Sequence, residues 1–288
     1  MTTIATEDNA NHNVVQYENK EFSNSKLEGG NSLKFGHFVL RKINGKKQKY
    51  SNCDFSYSDF INSYFHDAEF TNCKFIGTKF NQCNFRNAQF KACDFRYAEF
   101  HETSISTSQI LNNRPQEPNI QRDLFRVLRR NSESIGDVKS ARIFSLAEVD
   151  ARKEHLRKAI KKTEHYYREK YSGKLVSLKL RVENIFLWLD GFLWGHGERL
   201  WKMIIPITIL LFACALILTF ENSNSENTIE STLSFFKGAF FYYFDVFLDV
   251  ENSFPAPKIP FLERIVVVAR YLSFGVLIAG LFRWLSHR

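Results

Sequence analysis

Residues 51–110 read SNCDF SYSDF INSYF HDAEF TNCKF IGTKF NQCNF RNAQF KACDF RYAEF HETSI STSQI, which divides into twelve blocks of five without a gap. The first ten blocks end in phenylalanine: Phe55, Phe60, Phe65, Phe70, Phe75, Phe80, Phe85, Phe90, Phe95 and Phe100. The last two end in Ile105 and Ile110. A small residue stands two places before each large one, and Cys53, Cys73, Cys83 and Cys93 are four of these. A period of five matches neither a helix, which repeats near 3.6, nor a strand, which alternates in twos. Fixed short periods instead indicate a solenoid, in which each repeat buries its apolar side only by stacking on a neighbour.

The pattern resembles the pentapeptide-repeat family over residues 51–110. The resemblance implies a right-handed quadrilateral β-helix, with four blocks to a coil and the large and small residues pointing inward. Twelve blocks then make three coils, about 15 Å tall at the spacing of neighbouring strands. Cys53, Cys73 and Cys93 are twenty residues apart and fall on one face, with Cys83 opposite. All four take the place that Ala or Ser fills in other blocks, and no C-x₂-C cluster suggests a metal. They are expected to pack as small apolar residues. Some members of the family inhibit DNA topoisomerases by imitating the charge of DNA. Seven acids against five bases in this stretch make a poor imitation of a duplex.

Outward from the repeat, residues 1–30 are polar, lack the charged start and apolar centre of a signal peptide, and are expected to form a disordered tail. The β-helix is expected over 31–112. Pro115 and Pro118 mark a boundary, after which 120–200 read as a basic helical connector. From Gln121 to Lys202 there are 19 bases and 11 acids, a net +8 that equals the surplus of all 288 residues. Bases beside a membrane span draw anionic lipid headgroups, so the bilayer is the expected partner here and nucleic acid is not. Between Leu175 and Trp201 the apolar pattern is broken by Lys179, Arg181, Glu183 and Asp190, while Trp188, Trp194 and Trp201 suit a water–lipid boundary. An interfacial helix is expected there.

Residues 201–288 are expected to form a two-span, channel-like membrane domain. Residues 203–220 carry no charge and 265–282 carry only Arg270, so each is long and apolar enough to span a bilayer. Between them, Glu221–Arg264 holds seven acids and three bases, whereas bases flank the outer ends of both spans. The positive-inside rule puts both termini in the cytoplasm, and the inner membrane of a bacterium is the expected location. The mean hydropathy of −0.29 is therefore an average over a solenoid, a charged connector and a membrane domain. Residues 232–250 hold six Phe and two Tyr but also Lys237, Asp245 and Asp249, and are expected to form a re-entrant half-helix.

Span, aromatic half-helix and span together resemble the two-span potassium-channel family, whose domain some bacterial pentapeptide-repeat proteins carry at their carboxyl end. The layout, Gly197-Glu198-Arg199 and Leu281-Phe282-Arg283 carry the likeness over about residues 195–288. Potassium filters are built from stacked carbonyls of a glycine-containing strand, but Asp245–Asn252 has no glycine. Rings of Asp245, Asp249 or Glu251 would instead give a weakly selective cation pore. Arg270 has three roles open to it: reaching to the outer surface, pairing with an acid of the loop, or lining the conduit. Gly275 and Ala279 form a small-xxx-small pair suited to span packing. Two spans cannot enclose a channel, so a homo-oligomer is expected, a tetramer by the resemblance.

No Ser/His/Asp set, H-E-x-x-H, Walker loop or carboxylate pair appears, and neither enzyme activity nor a cofactor is expected. The expected function is an ion-channel-like membrane protein with a cytoplasmic sensor or assembly domain, which would bind an unidentified protein. A non-conducting, membrane-tethered scaffold and a signal-triggered, membrane-disrupting effector, as in phage defence, are the alternatives.

Overall fold

The computed structural model describes residues 2–4, 21–197, 200–222, 229–251 and 259–286. It divides into two compact units, Met1–Asn184 and Ile185–Arg288.

The first unit is built on a β-solenoid of about four turns. Two of its sides are parallel sheets. One stacks Gly30–Asn31, Lys49–Ser51, Glu69–Thr71 and Gln89–Lys91. The other stacks Glu21–Ser23, Val39–Arg41, Asp59–Ile61, Lys79–Asn81 and Glu99–His101. The remaining two sides are joined mainly by single bridges, such as Asp54 to Lys74 and Tyr64 to Asn84, and Thr2–Ile4 pairs in parallel with Ser25–Leu27. Residue n thus lies under residue n + 20, and the phenylalanines stack in columns. Ring centroids are 5.3 Å apart for Phe55 and Phe75, 5.2 Å for Phe75 and Phe95, and 5.0 Å for Phe70 and Phe90.

The solenoid begins earlier than the repeat pattern indicates. Glu21–Leu27 belong to its first coil rather than to a polar tail; residues 5–20 lie outside those described. Phe22 pairs with Leu40 and Lys26 with Asn44, a spacing of 18, before Gly30 and Tyr50 settle into 20. That two-residue shortfall breaks the five-residue frame and hides the coil. Gly45 occupies a position that would otherwise hold a Phe, and a Cβ there would come within 2.6 Å of the Tyr50 hydroxyl. Tyr50 fills the space and donates to the Leu27 carbonyl at 2.9 Å.

Corners explain the second residue of each block. From Asn52 to Glu102 every such residue has φ between +46° and +63°. Asparagine, aspartate and glycine tolerate this region best, and Asn52, Asn62, Asp67, Asn72, Gly77 and Asn87 hold six of the corners. Along one edge Asn52 donates to Asn31 at 2.9 Å and Asn72 donates to Asn52 at 2.6 Å, but the next corner is Ala92. Ala92→Asn should extend this ladder and relieve a disfavoured conformation, stabilising the solenoid by about 1 kcal/mol. The urea midpoint followed by circular dichroism checks this; a fall in midpoint contradicts it.

Charges also alternate in sign along two columns. Lys34, Asp54, Lys74 and Asp94 bridge in one column, and Asp59, Lys79 and Glu99 in another, so opposite signs alternate from coil to coil.

After the eleventh block the chain leaves the solenoid. STSQI does not form a twelfth block, because Thr107–Asn112 are a short helix (α1) crossing the open end, with Ile110 fully buried beneath it. Helices α2 (Pro118–Ser134) and α3 (Val138–Lys161) follow as a hairpin. Pro118 opens α2, Gly136 (φ +75°) makes the turn, and the Asp137 carboxylate caps the Ser140 amide at 3.0 Å. Leu124, Phe125, Leu128 and Phe144 extend the solenoid core, and Arg126 and Arg129 both grip Glu148. Helix α4 (His165–Lys170) leads to α5 (Lys174–Trp194), which crosses from the first unit into the second.

The second unit continues through short turns at Gly195–Gly197 and Leu200–Met203 into α6 (Ile204–Glu221), α7 (Ile229–Leu248) and α8 (Pro260–Ser286). Leu211, Cys214, Ala215 and Leu218 of α6, Ala239, Tyr242 and Tyr243 of α7, and Leu262 and Val266 of α8 form its small core.

Candidate functional site

Two places gather polar side chains: the inward columns of the solenoid and the contacts among α6, α7 and α8.

In the solenoid the small inward residue is a hydrogen-bonding device. The Ser63 hydroxyl accepts from the Ile43 amide and donates to the Leu40 carbonyl, both at 3.1 Å. Thr103 repeats this toward Cys83 (3.2 Å) and Phe80 (3.1 Å). The four cysteines donate in the same direction, Cys83 to the Phe60 carbonyl at 3.3 Å. Cys53, Cys73 and Cys93 donate to Gly30, Tyr50 and Phe70, each at 3.5 Å. All four are buried free thiols, and the ten phenylalanines are buried around them.

Where no further coil exists, asparagine takes over. Asn113 accepts from the Cys93 amide at 2.8 Å and donates to the Phe90 carbonyl at 2.9 Å. Asn131, on α2, accepts from the Thr103 amide and donates to the Thr103 carbonyl, both at 2.8 Å. The Asn113 side chain thus replaces the inward hydroxyl of a further coil, and Asn131 supplies both an acceptor and a donor that such a coil would have given Thr103. Neither was legible in the repeat, because Asn113 follows it and Asn131 lies 28 residues beyond its partner.

Burial pushes the Cys83 thiol up to about 12 from an ordinary value of 9.0. Its neutral form therefore stabilises the fold fully below about pH 9, and that contribution is lost between the unfolded and folded values as pH rises. At pH 8 the thiol should resist alkylating reagents until urea opens the solenoid, as mass spectrometry of the labelled peptide will test. Labelling of Cys83 in the folded protein contradicts this.

In the second unit, Trp201–Glu221 and Pro260–Phe282 are each long and apolar enough to cross a membrane, and 28% of the first and 11% of the second is buried within the chain. Phe212 meets Phe236 with centroids 5.0 Å apart, and residues 204–211 share an apolar groove of about 320 Å³ with residues 240–248, so α7 runs back along α6. Helix α8 runs in the same direction as α7: the Tyr242 hydroxyl donates to the Glu263 carboxylate, and Asp249 meets Arg270 seven residues further on in both.

Helix α7 covers nearly the residues expected, 229–248 against 232–250. Its 20 residues rise about 30 Å, the thickness of a hydrocarbon core. Glu230, Lys237 and Asp245 lower its hydropathy but do not interrupt a helix, which ends where Asp249 turns to φ +64°. A re-entrant arrangement is not evident from these contacts.

The predicted pore residues separate. Asp249 Oδ1 lies 2.6 Å from Arg270 Nη1, with the carboxylate largely exposed and the arginine 9% exposed. The guanidinium also sits over the Tyr271 ring, 4.9 Å from its centroid, and donates to that hydroxyl at 3.3 Å. Arg270 thus makes an ion pair with an acid of the loop. Asp245 is half-buried in the last turn of α7, and its carbonyl accepts from the Val250 amide at 2.9 Å; Glu251 is exposed. Gly275 and Ala279 are exposed, and a Cβ added at Gly275 would meet nothing within 4 Å, so this pair packs on no helix of its own chain among the described residues. Leu281 and Phe282 are exposed, while Glu198, Arg199, Asn252 and the Trp194 side chain lie outside the described residues.

One contact at the bend into α6 had no sequence signal beyond its glycines. His196 (φ +61°) places Nδ1 2.6 Å from Asp190 Oδ2, and its ring lies where a Cβ on Gly191 would be, 2.7 Å from Nε2.

Comparison with known proteins matches residues 44–120 to the pentapeptide repeat region. Among solved structures, the plasmid-mediated fluoroquinolone resistance protein QnrB1 is 16% identical over 31% of this chain and 52% of its own, with a TM-score of 0.19. A pentapeptide repeat protein from the Arabidopsis thaliana thylakoid lumen is 18% identical over 38% of this chain and 72% of its own, with a TM-score of 0.15. The match thus spans about half the length of QnrB1. No curated protein matches the chain.

Proposed function

We propose that this chain, which carries a pentapeptide-repeat solenoid and two helices able to cross a membrane, is an integral membrane protein of the bacterial inner membrane. Its second unit would assemble as a homo-oligomer around a weakly selective cation pathway. The supporting observation is the bareness of α6 and α8, whose apolar surface the chain itself leaves mostly uncovered. A soluble core helix is buried by its own domain; these helices call for lipid and for neighbouring copies. The basic residues at the outer ends of both spans favour cytoplasmic termini, leaving the solenoid in the cytoplasm as a sensor or assembly platform for a protein partner. The acids of that pathway would be Asp245, Asp249 and Glu251, with Asp249 paired to Arg270.

Ion flux from liposomes containing the purified protein tests this proposal. Asp245→Asn, Asp249→Asn and Glu251→Gln together should reduce the preference for cations over anions severalfold. Absence of flux at every protein-to-lipid ratio would sink the pore and leave the membrane-tethered scaffold. The lack of glycine in Asp245–Asn252 is the observation on that side.

A further inference from the structure

Helix α5 presents two unlike faces. Leu180 and Leu187, seven residues apart, are buried. On the opposite side Leu175, Leu178, Val182, Ile185 and Leu189 follow one another at intervals of three or four, and so form one stripe. All five are exposed, from 36% for Leu189 to 83% for Leu175. At 100° per residue, Lys179 falls on one edge of this stripe and Lys174 and Arg181 on the other. None of the three bases has an acidic partner among the described residues. The acids of the helix are engaged elsewhere: Glu183 binds Arg152 at 2.6 Å and Asp190 binds His196 at 2.6 Å. The stripe is therefore apolar along its middle and carries unneutralised positive charge along both edges.

We infer that α5 lies in the plane of an anionic bilayer, its stripe turned to the acyl chains and Lys174, Lys179 and Arg181 reaching out to lipid phosphates. A second copy is a poorer cover, because two such faces would set like charges against each other along both margins. The helix is followed in the chain, after Gly195–Gly197, by the first candidate span. The inference rests on the membrane reading proposed above but not on conduction.

The test uses the full-length protein in vesicles of phosphatidylcholine, with or without phosphatidylglycerol. Nitroxides are placed singly at Val182→Cys, Ile185→Cys and Leu189→Cys, at Ser177→Cys near the buried face, and at Leu277→Cys in α8. The ratio of collisions with oxygen to collisions with a water-soluble nickel chelate should be at least about threefold higher at 182, 185 and 189 than at 177. Replacing Lys174, Lys179 and Arg181 by Gln should abolish any gain in that ratio produced by phosphatidylglycerol. Water exposure at 182, 185 and 189 with lipid exposure at 277 overturns the placement of α5 alone. Water exposure at 277 as well overturns the membrane reading together with it. Spin–spin broadening at 185 that disappears on dilution with unlabelled protein shows a second copy on the stripe, and overturns the inference.

Discussion

Phe75→Ala should cost the solenoid about 3–5 kcal/mol, the range for emptying a large aromatic site in a close-packed core. Phe75 is 1% exposed, stacks between Phe55 and Phe95, and meets Phe70 edge-on at 5.5 Å. The cavity would open in the middle of the column, where rigid coils on both sides cannot close it. Phe75→Leu keeps most of the volume and should cost no more than about 1.5 kcal/mol. Because each coil touches only its neighbours, the loss should appear as a lower urea midpoint together with faster amide exchange in the adjoining coils. A loss below about 1 kcal/mol for the alanine variant would show that the aromatic column is not the main source of cohesion.

Asn131→Ala should be nearly as damaging, although it removes little apolar surface. Asn131 is 3% exposed and satisfies both the amide and the carbonyl of Thr103. Without it two buried backbone groups lose their partners, at about 1–3 kcal/mol each. The Thr103 amide should then exchange much faster than those of the inner coils, and α2 should loosen from the end of the stack. Hydrogen exchange read by mass spectrometry distinguishes this from general destabilisation: equal acceleration in every coil would contradict a local capping role.

The solenoid was legible where its chemistry repeats and illegible where one residue substitutes for another's function. Phe55 to Phe100 announce themselves because every coil there has the same length and the same filler. The coil below is built to the same plan, but Gly45 supplies no side chain and Tyr50 covers for it, while a spacing of 18 moves Phe22 and Leu27 out of frame. A pattern search sees only the missing Phe. The termination at Ile105 was hidden for a related reason: STSQI keeps the residue types of a block, and Ile110 is buried as a block residue would be, yet the backbone is helical. Asn113 does the work of a hydroxyl at the regular spacing of 20 and 23 residues, but as an asparagine past the last block, and Asn131 serves Thr103 from a position that no period connects.

In the second unit, composition disclosed the two apolar helices but not the partners within the site. Charge alone left Arg270 three choices, and contact with Asp249 depends on α8 running alongside α7 in the same direction, which no local pattern encodes. The helix over Ile229–Leu248 lies close to the 232–250 read from its aromatic residues, since Lys237 and Asp245 lower hydropathy without interrupting a helix.

The uniform 20-residue turn also makes the solenoid a ratchet for whatever its caps carry. The Ser63 and Thr103 hydroxyl contacts both reach back 20 and 23 residues, so a duplicated segment of twenty residues, such as 71–90, would raise α2 by one step of about 4.8 Å without changing its heading. A segment of ten would instead bring Asn131 round to the opposite side of the square. Growth of the domain is thus quantised: whole turns alter its reach, and half turns alter the direction in which its helices leave.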